Sequence, residues 1–164
     1  MTKVEAQLGI RRILVGLDGS PREASVLAFA QDLALCYDAH LLLLRAVGLP
    51  PEIPAEAWQN PALTVKDYLE NQAKEALLKS ASTLDAALRD RHALEVVVAT
   101  PWQALCNAAQ AHEVDLIVIG SHGYSGLDRV LGTTAARVVN HALCSVFVVR
   151  QREARGPRSA PALS

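Results

Sequence analysis

The sequence has few aromatic residues and no excess of charge of one sign. Phenylalanine, tyrosine and tryptophan make up 4% of its 164 residues, too few for the stacking platforms that bind single-stranded nucleic acid. The formal net charge is -1, so no overall field attracts nucleic acid or an anionic membrane. We therefore expect neither nucleic acid nor a membrane as a partner.

Cysteines and long apolar runs are also scarce. Cys36, Cys106 and Cys144 are too few and too scattered for a disulfide framework or a zinc site, and we expect them in or near the core. No apolar run approaches the roughly 20 residues of a membrane helix, and residues 1–11 contain no apolar stretch typical of a secretory signal. A cytoplasmic location is the simplest expectation.

The chain is rich in apolar residues, 51% in all, and many of them fall in five short runs. The runs are nearly continuous instead of alternating, which is typical of strands buried on both faces of a parallel sheet. The segments between them carry apolar residues at helical spacing. The order βαβαβαβαβ predicts an α/β fold with right-handed crossovers. The five runs are 13–17, 41–44, 94–98, 116–119 and 146–149.

The start of the first helix is well marked. Ser20 can cap it, Pro21 suits the first helical position, and Glu23 would complete a capping box. An apolar face then continues at helical spacing as far as Tyr37. Thr100-Pro101 repeats this logic before the third helix.

The second and fourth helices are predicted from apolar periodicity. The second is expected to run from about residue 63 to residue 90, and the fourth from Thr133 to His141 with Val138 and Val139 inward. The proline-rich segment 48–61 is expected to be a loop after the second strand.

The most informative stretch follows the fourth strand, which ends at Gly120. Glycines recur at 123, 126 and 132, and the last precedes two threonines that open a helix. Glycine lets backbone N–H groups approach an anion, and a helix N-terminus adds unpaired donors and a positive dipole end. In open α/β sheets ligands bind beyond the carboxyl ends of the strands. The stretch is a candidate phosphate cradle; the alternative is that its glycines serve turns alone and its threonines a cap.

The chain resembles the universal stress protein family in four passages: residues 13–20, 41–47, 115–123 and 132–149. The Gly-Ser-His-Gly motif at 120–123, after an Asp-Leu-Ile-Val strand, is rather specific in this context. The resemblance implies a single open five-stranded parallel sheet in the order 3-2-1-4-5, Rossmann-like, with helices on both faces.

The resemblance covers about residues 10–150, where it implies one nucleotide-binding domain. We expect residues 1–9 and 151–164 to be flexible tails. The second of these combines Arg152, Arg155 and Arg158 with glycine, proline and serine and shows no periodicity.

One branch of the family binds ATP and is marked by Gly, two residues, Gly, nine residues, then Gly followed by Ser or Thr. Gly120, Gly123 and Gly132-Thr133 match this pattern, except that eight residues separate Gly123 from Gly132. We therefore expect ATP, or else AMP or ADP, with Mg²⁺ or Mn²⁺ held by the phosphates and water. No residue is assigned as a protein ligand of the metal.

The resemblance places the glycines and threonines around the ribose and phosphates, and the backbone of Ala46 beside the adenine. Asp18, at the end of a buried strand, can accept hydrogen bonds from ribose hydroxyls; alternatively it belongs to the turn before the helix. His122 either bonds to the phosphate or orients the loop. The expected binding residues are Asp18, Ala46, Gly120, His122, Gly123, Gly132, Thr133 and Thr134.

The resemblance also implies a homodimer through the last strand, Cys144 to Arg150, the apolar edge of the sheet. The expected function is an ATP-binding stress-response or signalling module that a protein partner reads. Hydrolysis should be slow, because no general base is recognisable beside a nucleophile and no catalytic residue is assigned. The alternatives are a slow ATPase or phosphotransferase on the same site, and a dimeric member that binds no nucleotide.

Overall fold

The computed structural model describes residues 9–48, 64–121 and 132–150, in which strands and helices alternate. The strands are β1 (Arg12–Gly16), β2 (His40–Val47), β3 (His92–Val98), β4 (Leu116–Gly120) and β5 (Ser145–Val149). The α-helices are α1 (Glu23–Tyr37), α2 (Val65–Ala81), α3 (Pro101–Ala111) and α4 (Thr133–His141), and a 3₁₀ turn spans Ala86–Leu88.

The five strands form one parallel sheet in the order β3-β2-β1-β4-β5. This confirms the predicted fold class and strand order. β1 is central, pairing with β2 on one side and β4 on the other, and its Ile13, Leu14 and Val15 are fully buried.

Two apolar layers cover the sheet, one on each face. Ile13 and Val15 pack in the cluster that includes residues of α1 and α2, whereas Leu14 packs in the cluster that includes residues of α3 and α4. Successive residues of a strand point to opposite faces, so a strand covered on both sides needs apolar residues at every position. This explains why the apolar runs show no alternation.

The predicted second helix was too long, since α2 ends at Ala81 and not near residue 90. The chain then turns, and the Asp85 carboxylate accepts from the Ala87 N–H to open the 3₁₀ turn. Leu84 and Leu88 remain buried against the first layer, so the apolar periodicity continues where the helix does not. At the other end, Thr64 caps α2 in a capping box with Asp67.

The capping boxes predicted for α1 and α3 were wrong. α1 begins at Glu23 without a side-chain cap, because the Glu23 carboxylate bonds to Gly19, Arg45 and Ser80 instead. The Thr100 side chain forms no cap either, although Pro101 is the first residue of α3 as expected.

Three side chains expected inward lie at the surface. Tyr37 and Val139 are each 47% exposed, and Cys36 is exposed. Val139 follows the buried Val138 by one position, about 100° around the helix, which turns it away from the sheet. Tyr37 and Cys36 stand at the end of α1, beyond its last buried residue, Ala34.

None of the helices in the described ranges is long and apolar enough to span a membrane.

Candidate functional site

The carboxyl ends of β1 and β4 lie side by side where the strand order reverses. β1 leads through α1 to β2 on one side, and β4 leads through α4 to β5 on the other, so the loops after them diverge. Helices in parallel βαβ units run antiparallel to the strands, and α4 therefore begins at this same edge. The topology brings to this edge Asp18, Gly120, Gly132, Thr133 and Thr134, with Ala46 near the carboxyl end of β2.

Glycines at the ends of β1 and β4 allow close packing beneath the crevice. A Cβ on Gly16 would lie 2.8 Å from Ile119 Cγ2 and 3.0 Å from Leu105 Cδ2. A Cβ on Gly120 would lie 3.1 Å from Val26 Cγ2. Gly120 thus has a packing reason that is independent of any ligand and that was not foreseen from the sequence.

The turn after β1 presents Asp18 at the surface. The Leu17 N–H still donates to the Leu44 carbonyl at 2.9 Å, and the chain then leaves the sheet. Asp18 Oδ1 accepts from the Ser20 N–H at 2.9 Å, and Gly19 takes a left-handed φ of 75°. Asp18 is therefore a carboxylate on a defined turn at the carboxyl edge, as ribose recognition would require.

The Glu23 carboxylate holds this turn through hydrogen bonds. Its Oε2 accepts from the Gly19 N–H at 2.6 Å and from Arg45 Nη2 at 2.5 Å, and its Oε1 accepts from Ser80 Oγ at 2.5 Å. The side chains of Glu23 and Arg45 are only 13% and 12% exposed. Arg45 Nε is buried and has no hydrogen-bond partner among the described residues. Sequence reasoning missed this cluster, because its members lie far apart along the chain.

A second contact joins α1 to the segment that follows β4. Arg22 Nη1 donates to the Ser121 carbonyl at 2.8 Å, and the Ser121 N–H donates to the Val149 carbonyl at 3.0 Å. Gly120 itself is half-buried and pairs with Val149. The end of β4 is thereby fixed on both sides before the glycine-rich stretch begins.

The first turn of α4 offers backbone donors. Gly132 is its N-cap, with φ -58° and ψ 155°, and has no side chain to accept from the helix. Its carbonyl accepts from the Ala136 N–H at 2.8 Å, so the N–H groups of Thr133, Thr134 and Ala135 precede the first intrahelical bond. Thr133 is exposed and Thr134 half-buried. These N–H groups and hydroxyls suit an anionic oxygen ligand.

The far end of α4 is held against α3. The ring of Trp102 lies 4.8 Å from that of His141, and Arg137 Cζ lies 5.7 Å from the Trp102 ring. Ala135 and Val138 are buried in the same layer. The helix is thus fixed by packing while its first turn faces the crevice edge.

Two of the predicted residues, His122 and Gly123, lie outside the described residues. Ala46 is half-buried in β2, pairs with Val97 and packs in the α3 and α4 layer, so its side chain lies on the sheet face opposite to that of Arg45.

The two thiols with raised pKa values, Cys106 and Cys144, lie away from the candidate site. Burial raises the pKa of the Cys106 thiol. Burial is also the largest of the causes that raise the pKa of the Cys144 thiol. Cys144 directly precedes β5, at the amino edge, and both thiols line a shallow cavity with Leu143. In the described ranges no cluster of histidine, cysteine, aspartate and glutamate is suited to a metal ion.

The sequence model of the universal stress protein family matches residues 9–150 of the chain. The chain belongs to the universal stress protein family. The resemblance seen in the four sequence passages is thereby confirmed.

Curated relatives agree with this assignment. Universal stress protein A homolog 2 of Coxiella burnetii is 32% identical over 142 residues, which are 85% of this chain and 94% of the relative. Homolog 1 of the same organism is 28% identical over 144 residues, 87% of this chain and 98% of the relative.

Solved structures show the same fold. Universal stress protein UspA from Lactobacillus plantarum has a TM-score of 0.68 and 28% identity, over 86% of this chain and 98% of that chain. A universal stress protein in complex with cAMP has a TM-score of 0.55 and 23% identity, over 87% and 98%. One from Archaeoglobus fulgidus in complex with dAMP has a TM-score of 0.57 and 19% identity, over 84% and 96%. At such identities the last two show the fold alone.

Proposed function

We propose that this universal stress protein binds an adenine nucleotide, ATP in particular, at the carboxyl edge of β1 and β4. Occupancy of the site would alter a surface that a protein partner reads. The observation that carries the proposal is the first turn of α4, which opens on Gly132 at the point where the strand order reverses. Backbone donors at a helix N-terminus bind phosphate without a basic surface, which agrees with a net charge of -1.

Each part of a nucleotide has a matching group in the proposed site. The N–H groups and hydroxyls of Thr133 and Thr134 would bind the phosphates, with Gly120, His122, Gly123 and Gly132 around them. The Asp18 carboxylate would accept from the ribose hydroxyls, and the backbone of Ala46 would meet the adenine. A divalent ion would be held by the phosphates and water. The cAMP and dAMP complexes of two proteins with the same fold support an adenine nucleotide as the ligand class.

Titration calorimetry with ATP and AMP tests the proposal. Gly132→Val adds a side chain where phosphate would approach, and the φ of -58° admits it without backbone strain. We expect ATP to bind the variant at least about 10-fold more weakly, a loss of about 1.4 kcal/mol. Ala111→Val, at the exposed end of α3 on the amino edge, is the control and should bind like the wild type.

Three results would contradict parts of the proposal. If the wild-type chain binds no adenine nucleotide, the alternative holds that it is a family member without a nucleotide ligand. Unchanged affinity in Gly132→Val would exclude the α4 site. Release of phosphate over many turnovers at typical enzyme rates, about 1–1000 per second, would make the protein an enzyme instead of a binding module.

We also propose a homodimer formed through β5. β5 is an edge strand, and Phe147, 41% exposed, stacks on Phe29 of α1 with ring centroids 4.4 Å apart. Phe147→Lys should give a monomer by analytical ultracentrifugation. Ala93→Lys, an exposed position on the other edge strand β3, should leave the dimer intact. A wild-type monomer at micromolar concentration would refute this proposal.

A further inference from the structure

Glu23 is the point at which four parts of the fold meet. Its carboxylate joins the turn after β1 through Gly19, β2 through Arg45 and α2 through Ser80, while its own backbone begins α1. The two contacts to β2 and α2 span 22 and 57 residues of sequence. Two elements distant in the chain, β2 and α2, therefore fix the position of this carboxylate. The carboxylate then holds the turn of residues 18–20, which carries Asp18 of the candidate site.

Stability alone does not explain a largely buried ion pair at this place. Removing two charges from water costs about as much as their attraction returns, and a well-packed apolar pair often serves as well. An apolar pair of the same size, however, has no oxygen to accept from the Gly19 N–H. The distinctive contribution of Glu23 is that hydrogen bond, which is charge-assisted and only 2.6 Å long.

The bond lies in the turn that carries Asp18. Gly19 has a left-handed φ, and the N–H groups of Gly19 and Ser20 are held by two different carboxylates, those of Glu23 and Asp18. Arg45 closes the arrangement, because its Nη2 lies 3.0 Å from the position of a Cβ on Gly19. Without the Glu23 acceptor the Gly19 N–H loses this bond, and the bonds of the turn at Ser20 that remain are local ones, from Ser20 N–H to Asp18, from Arg22 N–H to Ser20 Oγ and from Glu23 N–H to the Ser20 carbonyl.

We propose that Glu23 is a positioning residue of the nucleotide site. Its carboxylate holds the turn of residues 18–20 in a single conformation before ligand binds, and Arg45 and Ser80 hold the carboxylate. The inference rests on the proposed nucleotide binding and extends it to residues that do not touch the ligand. Preorganisation of this kind removes an ordering cost that would otherwise weaken binding.

The double variant Glu23→Met/Arg45→Met separates positioning from stability. It removes both of these largely buried charges together and keeps apolar volume, so we expect its melting temperature to stay near that of the wild type. Its affinity for ATP, measured by calorimetry well below the melting temperature, should fall at least about 10-fold. Hydrogen exchange at the Gly19 amide, measured without nucleotide, should become faster.

The control is an ion pair on the amino edge. Arg12 Nη1 lies 3.1 Å from Glu113 Oε2, and both side chains are largely exposed. Arg12→Met/Glu113→Met should leave both the affinity for ATP and the exchange rate at Gly19 unchanged.

If the Glu23 double variant does not fold, two single variants decide the question. Ser80→Ala leaves the Gly19 acceptor in place and should change the affinity less than about 3-fold, whereas Glu23→Gln weakens that acceptor and should lower the affinity more. Equal effects of the two would overturn the inference.

The remaining outcomes distinguish the inference from the proposed function. A folded double variant that binds ATP like the wild type overturns the role of Glu23 and leaves nucleotide binding intact. A wild-type chain that binds no adenine nucleotide overturns both, and this is the first measurement to make.

Discussion

Replacing Gly19 by alanine should destabilise the protein through the backbone. Of the described glycines, only Gly19 has a positive φ, 75°. An L-residue in the left-handed region costs about 1–2 kcal/mol. The added Cβ would also lie 3.0 Å from Arg45 Nη2, so the guanidinium must shift by a few tenths of an ångström from its place beside Glu23.

The left-handed backbone and the contact with Arg45 both destabilise the variant, and one smaller effect stabilises it. Alanine restricts the unfolded chain, which returns about 0.5 kcal/mol. The backbone cost less this gain is a net loss of about 0.5–1.5 kcal/mol, and displacement of the Arg45 guanidinium adds to it. At roughly 2–4 °C per kcal/mol for a chain of this size, the melting temperature should fall by about 1–6 °C or more. Scanning calorimetry or circular dichroism on heating measures the shift.

Two further variants identify its cause. Gly19→Asn adds the same Cβ, but asparagine tolerates the left-handed region, so its loss should be smaller. Gly48→Ala should be neutral or slightly stabilising, because no atom of the described residues lies within 4 Å of the added Cβ. A Gly19→Ala protein as stable as the wild type would refute this reasoning, and equal losses for alanine and asparagine would trace the effect to Arg45 instead.

Three other predictions concern α2 and α4. Leu77→Ala should lower the free energy of unfolding in urea by about 2–5 kcal/mol because Leu77 is fully buried, whereas Leu78→Ala, at 51% exposure, should cost under about 0.5 kcal/mol; similar losses would contradict the packing of α2. The Thr64 hydroxyl lowers the pKa of Asp67, so Thr64→Ala should raise it in an NMR titration, and the variant should lose less stability than the wild type as the pH falls through that lowered pKa. Gly132→Ser should cap α4 and add a few tenths of a kcal/mol to the free energy of unfolding, measured on heating. The serine hydroxyl would accept from a backbone N–H that otherwise donates to phosphate, so ATP should bind more weakly in calorimetry. Tighter binding would contradict the proposed site.

Local sequence patterns predicted the strands and α4 well, but not the end of α2. The continuous apolar runs predicted all five strands, and α4 has the bounds predicted, Thr133–His141. α2 was overextended because burial of Leu84 and Leu88 continued the helical period through a turn. Periodicity reports which side chains are buried, and here it did not report where the backbone stopped being a helix.

The candidate site was predictable only where a short motif carries it. Asp18 at the end of a buried strand, and Gly132 before Thr133, follow from local sequence and were placed at the carboxyl edge as expected. Glu23 was assigned to a local cap, whereas its partners Arg45 and Ser80 come from other elements. No pattern within one helix reveals a carboxylate whose partners come from a distant strand and a distant helix.

The central position of β1 has a consequence for synthesis. This strand leaves the ribosome first of the five, yet one of its two neighbours, β4, is made about a hundred residues later. Until then a nascent chain that has paired β1 with β2 carries the apolar edge of β1 unpaired, as would any fragment ending before Leu116. Chaperone protection should therefore matter most while residues 48–115 are translated; β4 then covers the open edge of β1, and β5 joins β4 last.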